Sequence, residues 1–238
     1  MNNNPAIRNW LGLSTLALML AALFMVFDYV PPEAEQGIVQ LIFYFHVPLA
    51  WVAFASFGLV AIAGIFYLWL GDQLWDDLGY AAAESGMVFC TLMIVSGSIW
   101  ARPIWSTWWT WDSRLTTTFI LWLMYVGYLM LRASAGDTPQ VARFAAVLGI
   151  VAALDVPIVI ASVRLWRTIH PAVLVTRQGG HGLEDPRMVA SLLVSLAAFS
   201  ALWAWILMLR FTQLRTRSRI GALALRLAFA GAAASGGK

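Results

Sequence analysis

The sequence is poor in charge, cysteine and histidine, and each shortage excludes something. Acidic and basic residues make up 11% of the 238 positions and hydrophobic residues 61%, with a mean hydropathy of +0.76. Soluble domains carry about 25% charge. An integral membrane protein is therefore expected, with membrane lipid as its surroundings and no nucleic-acid partner. Cys90 is the only cysteine. It rules out an internal disulfide, a CxxC redox motif and a CxxCH attachment motif, and it reads as a small core residue. There is no HExxH and no Cys/His cluster, which leaves zinc and calcium sites without support. A GxxxxGK[ST] phosphate loop is also missing, as is any repeat with a period of ~20–50 residues. The first apolar run lacks a small-residue cleavage site and leads into Asp28-Tyr-Val-Pro-Pro, so a retained span is expected rather than a cleaved signal peptide.

What is present is apolar length. Six stretches approach the ~20 residues that a bilayer core requires: Trp10–Phe27, Val47–Leu70, Leu78–Ile99, Leu115–Leu131, Val141–Leu165 and Met188–Leu209. The expected fold is all-α, a polytopic membrane protein with six transmembrane helices in a single domain over residues 1–210. A tail over 211–238 follows, basic at first and then rich in small residues. With six spans both termini share a side, which would hold nine Lys/Arg against six opposite. The positive-inside rule then leans toward cytoplasmic termini. The basic stretch Arg210–Arg219 reads as a stop-transfer cluster or as a patch for lipid or a partner.

Between the third and fourth stretches lies an unusual connection. Trp100, Trp105, Trp108, Trp109 and Trp111 fall within twelve positions, five of the thirteen tryptophans in the chain. Arg102-Pro103 interrupts the preceding apolar run. The residue before a proline is biased away from helical geometry, so Ala101–Asp112 is expected to be largely non-helical. One reading is an interfacial aromatic belt. Five such residues on one short connection exceed what a belt needs, and the alternative is an apolar shelf for a large planar ligand.

The same side would carry Arg102, Arg114, Arg164, Arg167, Arg177 and Arg187, beside the acids Asp28, Glu33, Glu35, Asp112, Glu184 and Asp185. Two uses are open to these arginines: loop ion pairs, or bidentate capture of a ligand carboxylate. Asp112 is placed either to cap the fourth helix or to pair with Arg102 or Arg114. All three histidines lie on that side as well. His46 sits at the mouth of the second span and His170 just beyond the fifth. Both end apolar-aromatic runs closed by proline, whereas His181 stands between glycines. Two neutral imidazoles approaching from opposite sides are suited to axial ligation of a haem iron. Within the spans, Glu84 and Asp155 are ionisable. Asp155-Val-Pro157 falls mid-span, where the carboxyl has either a structural use or a role in a proton or ligand pathway.

These residues carry a resemblance. Trp105-Ser-Thr-Trp-Trp-Thr-Trp-Asp112, followed by Arg114-Leu-Thr, resembles the tryptophan-rich WWD signature of the haem-handling protein family. Phe45-His-Val-Pro48, Trp166-Arg-Thr-Ile-His170, the length and the six spans narrow it to the CcmC family of system I cytochrome c maturation. The likeness runs from the first span to Arg210. It implies that haem b (iron protoporphyrin IX) is held at the outer face between the WWD loop and two axial histidines, which fall on His46 and His170. Trp100, Trp105, Trp108, Trp109 and Trp111 would wall the macrocycle, Asp112 would orient the loop, and Arg102 and Arg114 lie near enough in sequence for the propionates. The resemblance further implies a bacterial inner membrane with the site facing the periplasm, and delivery of haem to the chaperone CcmE. The ABC-type pair CcmA/CcmB and the small membrane protein CcmD would be partners. His181 and the tail match no motif of that family. No catalytic acid, base or nucleophile is visible, so a haem-binding and transfer protein is expected rather than a conventional enzyme. The rival readings are a b-type electron-transfer subunit, a haem transporter and a docking surface that binds no haem.

Overall fold

A computed structural model describes residues 5–136, 138–166, 170, 183 and 185–236 of the chain. It is built from helices: α1 (Pro5–Phe24, continued by a π-helical turn to Tyr29), α2 (Phe43–Leu70), α3 (Gln73–Trp105), α4 (Ser113–Ser134), α5 (Pro139–Ala153), α6 (Asp155–Leu165) and α7 (Pro186–Gly236). Six segments are long and apolar enough to cross a membrane, with α5 and α6 together forming the fifth. Helices satisfy their own backbone groups, which is why long apolar runs of this kind cross a bilayer in this form.

The helix starts are written locally. Asp72 accepts from the Leu74 N–H at 2.8 Å. Asp112 accepts from the N–H groups of Arg114 and Leu115 at 3.0 Å each. Thr138 accepts from Val141 at 3.3 Å. Each satisfies a donor that the first turn leaves without a partner. Asp112 therefore caps α4, and among the described residues it makes no ion pair with Arg102 or Arg114.

Helix α2 lies at the centre, with α3, α5 and α7 packed around it. Val52, Ala53, Phe57 and Ala63 are fully buried. The α2–α3 contact is close because Gly86 has no side chain: a Cβ there would lie 2.7 Å from Ser56 Cβ and 2.8 Å from Phe57 Cε1. Small residues take this role in membranes, where backbone approach replaces the hydrophobic drive. Phe57 stacks on Tyr125 at 3.8 Å, tying α4 to the same centre, and Cys90 is buried in that core.

Several boundaries differ from the sequence reading. Helix α2 begins at Phe43, four residues ahead of the expected span, so His46 is a helical residue of the first turn rather than part of a loop. Helix α3 does not stop at Arg102-Pro103 but continues to Trp105, and only Ser106–Asp112 is non-helical. A proline late in a long helix removes one hydrogen bond and need not end it. The end comes at Ser106, in the left-handed region with φ 57°, where Arg102 Nη1 donates to the Ser106 carbonyl at 2.7 Å. The fifth span breaks at Leu154, and the Asp155 carboxyl at this break has a buried oxygen with no hydrogen-bond partner among the described residues. Helix α7 runs unbroken past Arg210, far beyond a bilayer's needs.

At the end away from His46, ion pairs fasten the helices. Arg132 grips Asp76 with two bonds of 2.9 and 3.0 Å and lies over the Tyr80 ring at 4.7 Å. Glu84 pairs with Arg210, its Oε1 accepting from Nη2 at 2.8 Å. Asp77 accepts from Arg215 at 3.3 Å and from Ser218 at 2.8 Å. Glu84 thus has a protein partner, and the basic stretch of α7 docks on α3.

Candidate functional site

At the opposite end, five parts of the chain converge on one cavity of about 70 Å³. Helix α2 presents His46, Ala50 and Phe54, spaced four apart and so on one face. Helix α3 presents Met93, Gly97 and Trp100 by the same logic, with Trp105 from its last turn. Helix α4 contributes Arg114 from its capped first turn and Thr118 from the next. Trp109 and His170 close the cavity and are the two lining residues outside helices.

The histidines face each other. Their ring centroids are 6.4 Å apart with 36° between the planes. Two imidazoles that share one metal through bonds of ~2.0 Å stand at a comparable separation. Trp100, 8% exposed, meets His46 edge-on at 5.8 Å, and its own Nε1 donates to Gln36 at 2.9 Å. The wall beside His46 is therefore fixed by the loop ahead of α2.

The tryptophans divide. Trp100, Trp105 and Trp109 line the cavity. Trp108 and Trp111 are turned outward, 59% and 72% exposed. Trp109 and Trp111 meet edge-on at 5.8 Å, and both lean on Phe119. The arginines divide too. Arg102 is spent on closing α3. Arg114 reaches the cavity, and its guanidinium makes no hydrogen bond or ion pair among the described residues. Asp185 and Arg187 form a loop ion pair at 2.7 Å. His181, Arg167, Arg177 and Glu184 lie outside the described residues.

Two contacts here were not foreseen. Ser96 Oγ lies 3.1 Å from His46 Nδ1, and a Cβ on Gly97 would lie 2.9 Å from His46 Cε1. Serine and glycine in an apolar span ordinarily read as packing residues, and no signal local to α3 ties them to His46, fifty residues away in sequence. An apolar, aromatic-walled cavity lined by two imidazoles and the Arg114 guanidinium suits a planar metal macrocycle bearing carboxylates.

The family model described as "Heme exporter protein C" matches residues 2–226. The chain is 35% identical to "Heme exporter protein C" of Bradyrhizobium diazoefficiens over 233 residues, covering 96% of this chain and 88% of that protein. It is 30% identical to the Escherichia coli protein of that name over 205 residues, 86% and 82% of the two chains. A "Putative cytochrome c biosynthesis ccmC-like mitochondrial protein" of Arabidopsis thaliana is 32% identical over 173 residues, 73% of this chain and 63% of that protein. The chain is a multi-pass membrane protein, and it belongs to the CcmC family.

Proposed function

We propose that this protein holds haem b at the His46 end of its helix bundle and hands it on during the maturation of c-type cytochromes. The observation that carries this reading is the His46–His170 pair, 6.4 Å apart in an aromatic-walled cavity, in a chain whose relatives are named for haem export and cytochrome c biosynthesis. His46 and His170 would hold the iron through their imidazole nitrogens. Trp100, Trp105 and Trp109 give the macrocycle apolar walls, because indole faces bind flat π-systems at low entropic cost. Arg114 takes a propionate through a charge-assisted hydrogen bond. Haem, when bound, supplies the iron with two axial positions, the flat apolar face and the two carboxylates.

The cavity is far smaller than a porphyrin, so Trp109 and His170, the two walls not built into helices, must move apart to admit one. His46 is built into α2 whereas His170 stands outside the helices, so movement of the His170 wall would withdraw one of the two ligating residues and suits the site to release as well as capture. The site faces the periplasm across a bacterial inner membrane, on the side opposite the basic end of α7. The acceptor is the haem chaperone CcmE, with CcmA/CcmB and CcmD as further partners.

The test is the absorption spectrum of protein purified from haem-replete cells, beside His46→Ala and His170→Ala. The reading expects haem in the parent and lost or shifted Soret and α/β bands in both variants. A parent that never acquires haem overturns it. Two variants with unchanged bands move the ligands elsewhere, His181 first.

A further inference from the structure

Helix α3 places Ser96 and Gly97 directly against the His46 ring. The Ser96 hydroxyl donates to the Met93 carbonyl at 3.0 Å, a bond back into its own helix. A hydroxyl has one proton and two lone pairs. With its proton directed to Met93, Ser96 Oγ is placed to accept from an Nδ1–H of His46 across the 3.1 Å contact. The imidazole proton then sits on Nδ1, and Nε2 keeps its lone pair. A free histidine side chain favours the opposite tautomer, so the helix selects the form that a metal requires.

We propose that Ser96 is a positioning residue for His46: it holds the ring as the Nδ1–H tautomer and fixes its plane, leaving Nε2 as the ligating nitrogen. Gly97 makes this possible, since any side chain there would displace the ring. The hydrogen bond also raises the ligand basicity of Nε2, as outer partners of metal-bound histidines do. The assignment to haem ligation rests on the function proposed above, whereas the tautomer does not.

The experiment uses the full chain in nanodiscs. Histidine ring 15N NMR of the haem-free protein reads the tautomer, with His170→Ala and His181→Ala variants assigning the His46 signals. The same preparations are then titrated with haem. The parent is expected to show His46 protonated on Nδ1 and bare at Nε2. Ser96→Ala loses that pattern and binds haem ~10–100-fold more weakly, the usual effect of removing such a partner. Ser96→Thr, which keeps the hydroxyl, restores both. A parent carrying its proton on Nε2 overturns the proposal, and so does a Ser96→Ala protein with parental tautomer and affinity. A parent with the Nδ1–H form that takes up no haem overturns the haem reading and upholds tautomer selection by Ser96.

Discussion

Placing a methyl group at position 97 is the smallest change that probes how tightly the ligand is held. The Cβ of Gly97→Ala would lie 2.9 Å from His46 Cε1, 3.4 Å from Nδ1 and 3.8 Å from Nε2. Carbon atoms are at their optimum near 3.5–4.0 Å, so the ring must retreat by roughly 0.6–1 Å. The Nδ1–Ser96 contact is now 3.1 Å, and a retreat of that size, directed away from α3, takes it beyond about 3.6 Å, where a hydrogen bond no longer counts. Two effects on stability oppose each other. Overpacking costs about 1–3 kcal/mol, and alanine gains about 0.5–1 kcal/mol over glycine inside a helix. The haem-free protein should therefore lose about 0–2.5 kcal/mol of stability, a modest fall in melting temperature, while haem affinity falls ~10–100-fold through the lost outer hydrogen bond. Gly127→Ala is the matched control, since nothing lies within 4 Å of its added carbon; it should keep parental affinity. Haem titration of the three proteins, followed at the Soret band, decides the matter. Parental affinity in Gly97→Ala would refute the claim that α3 fixes the ring.

Three further outcomes follow from the same geometry. Arg114→Gln should weaken haem binding by roughly ten- to a hundredfold, the worth of one charged hydrogen bond of about 1.5–3 kcal/mol, whereas Arg102→Gln should leave affinity unchanged and only fray the end of α3; parallel titrations separate the two. Trp109→Ala should bind haem distinctly more weakly than Trp108→Ala, since the first removes a cavity wall and the second an indole that is 59% exposed; equal losses would place the ligand on the outer surface of the loop. Asp76→Asn should destabilise the bundle by about 3–5 kcal/mol, the usual result of breaking a buried ion pair, because both side chains are 5% exposed. Detergent-phase thermal melts should show that loss, with Asp76→Leu/Arg132→Met recovering most of it.

The sequence made the number of spans legible because apolar runs of that length have no other use. Their ends were not legible. His46 is a polar residue in an aromatic run, and nothing local says that the helix starts before it rather than after. Pro103 looks like a stop, yet one lost hydrogen bond near the end of a long helix is tolerated, and the true stop is the left-handed Ser106. Arg210–Arg219 looks like the end of a span, but arginine and leucine are good helix formers, and acids on α3 hold that stretch in place. At the site, His46, His170, Trp109 and Arg114 stood out because their residue types are rare in such a setting. Which indoles turn inward was not legible: Trp108 and Trp109 are adjacent, and the cap at Asp112 and the turn at Ser106 decide their directions. Ser96 and Gly97 were hidden for a different reason. Their meaning comes from His46, fifty residues away in sequence, and only the α2–α3 packing brings them together.

Electron paramagnetic resonance of the ferric haem complex tests the central claim most directly, because it reports axial ligands rather than binding alone. The parent should give a low-spin signal from two imidazoles, and His46→Gly and His170→Gly a high-spin one. Added imidazole should return each variant to the low-spin form by filling the vacated position. A high-spin parent, or a low-spin signal that persists in either variant without added imidazole, would contradict ligation by His46 and His170.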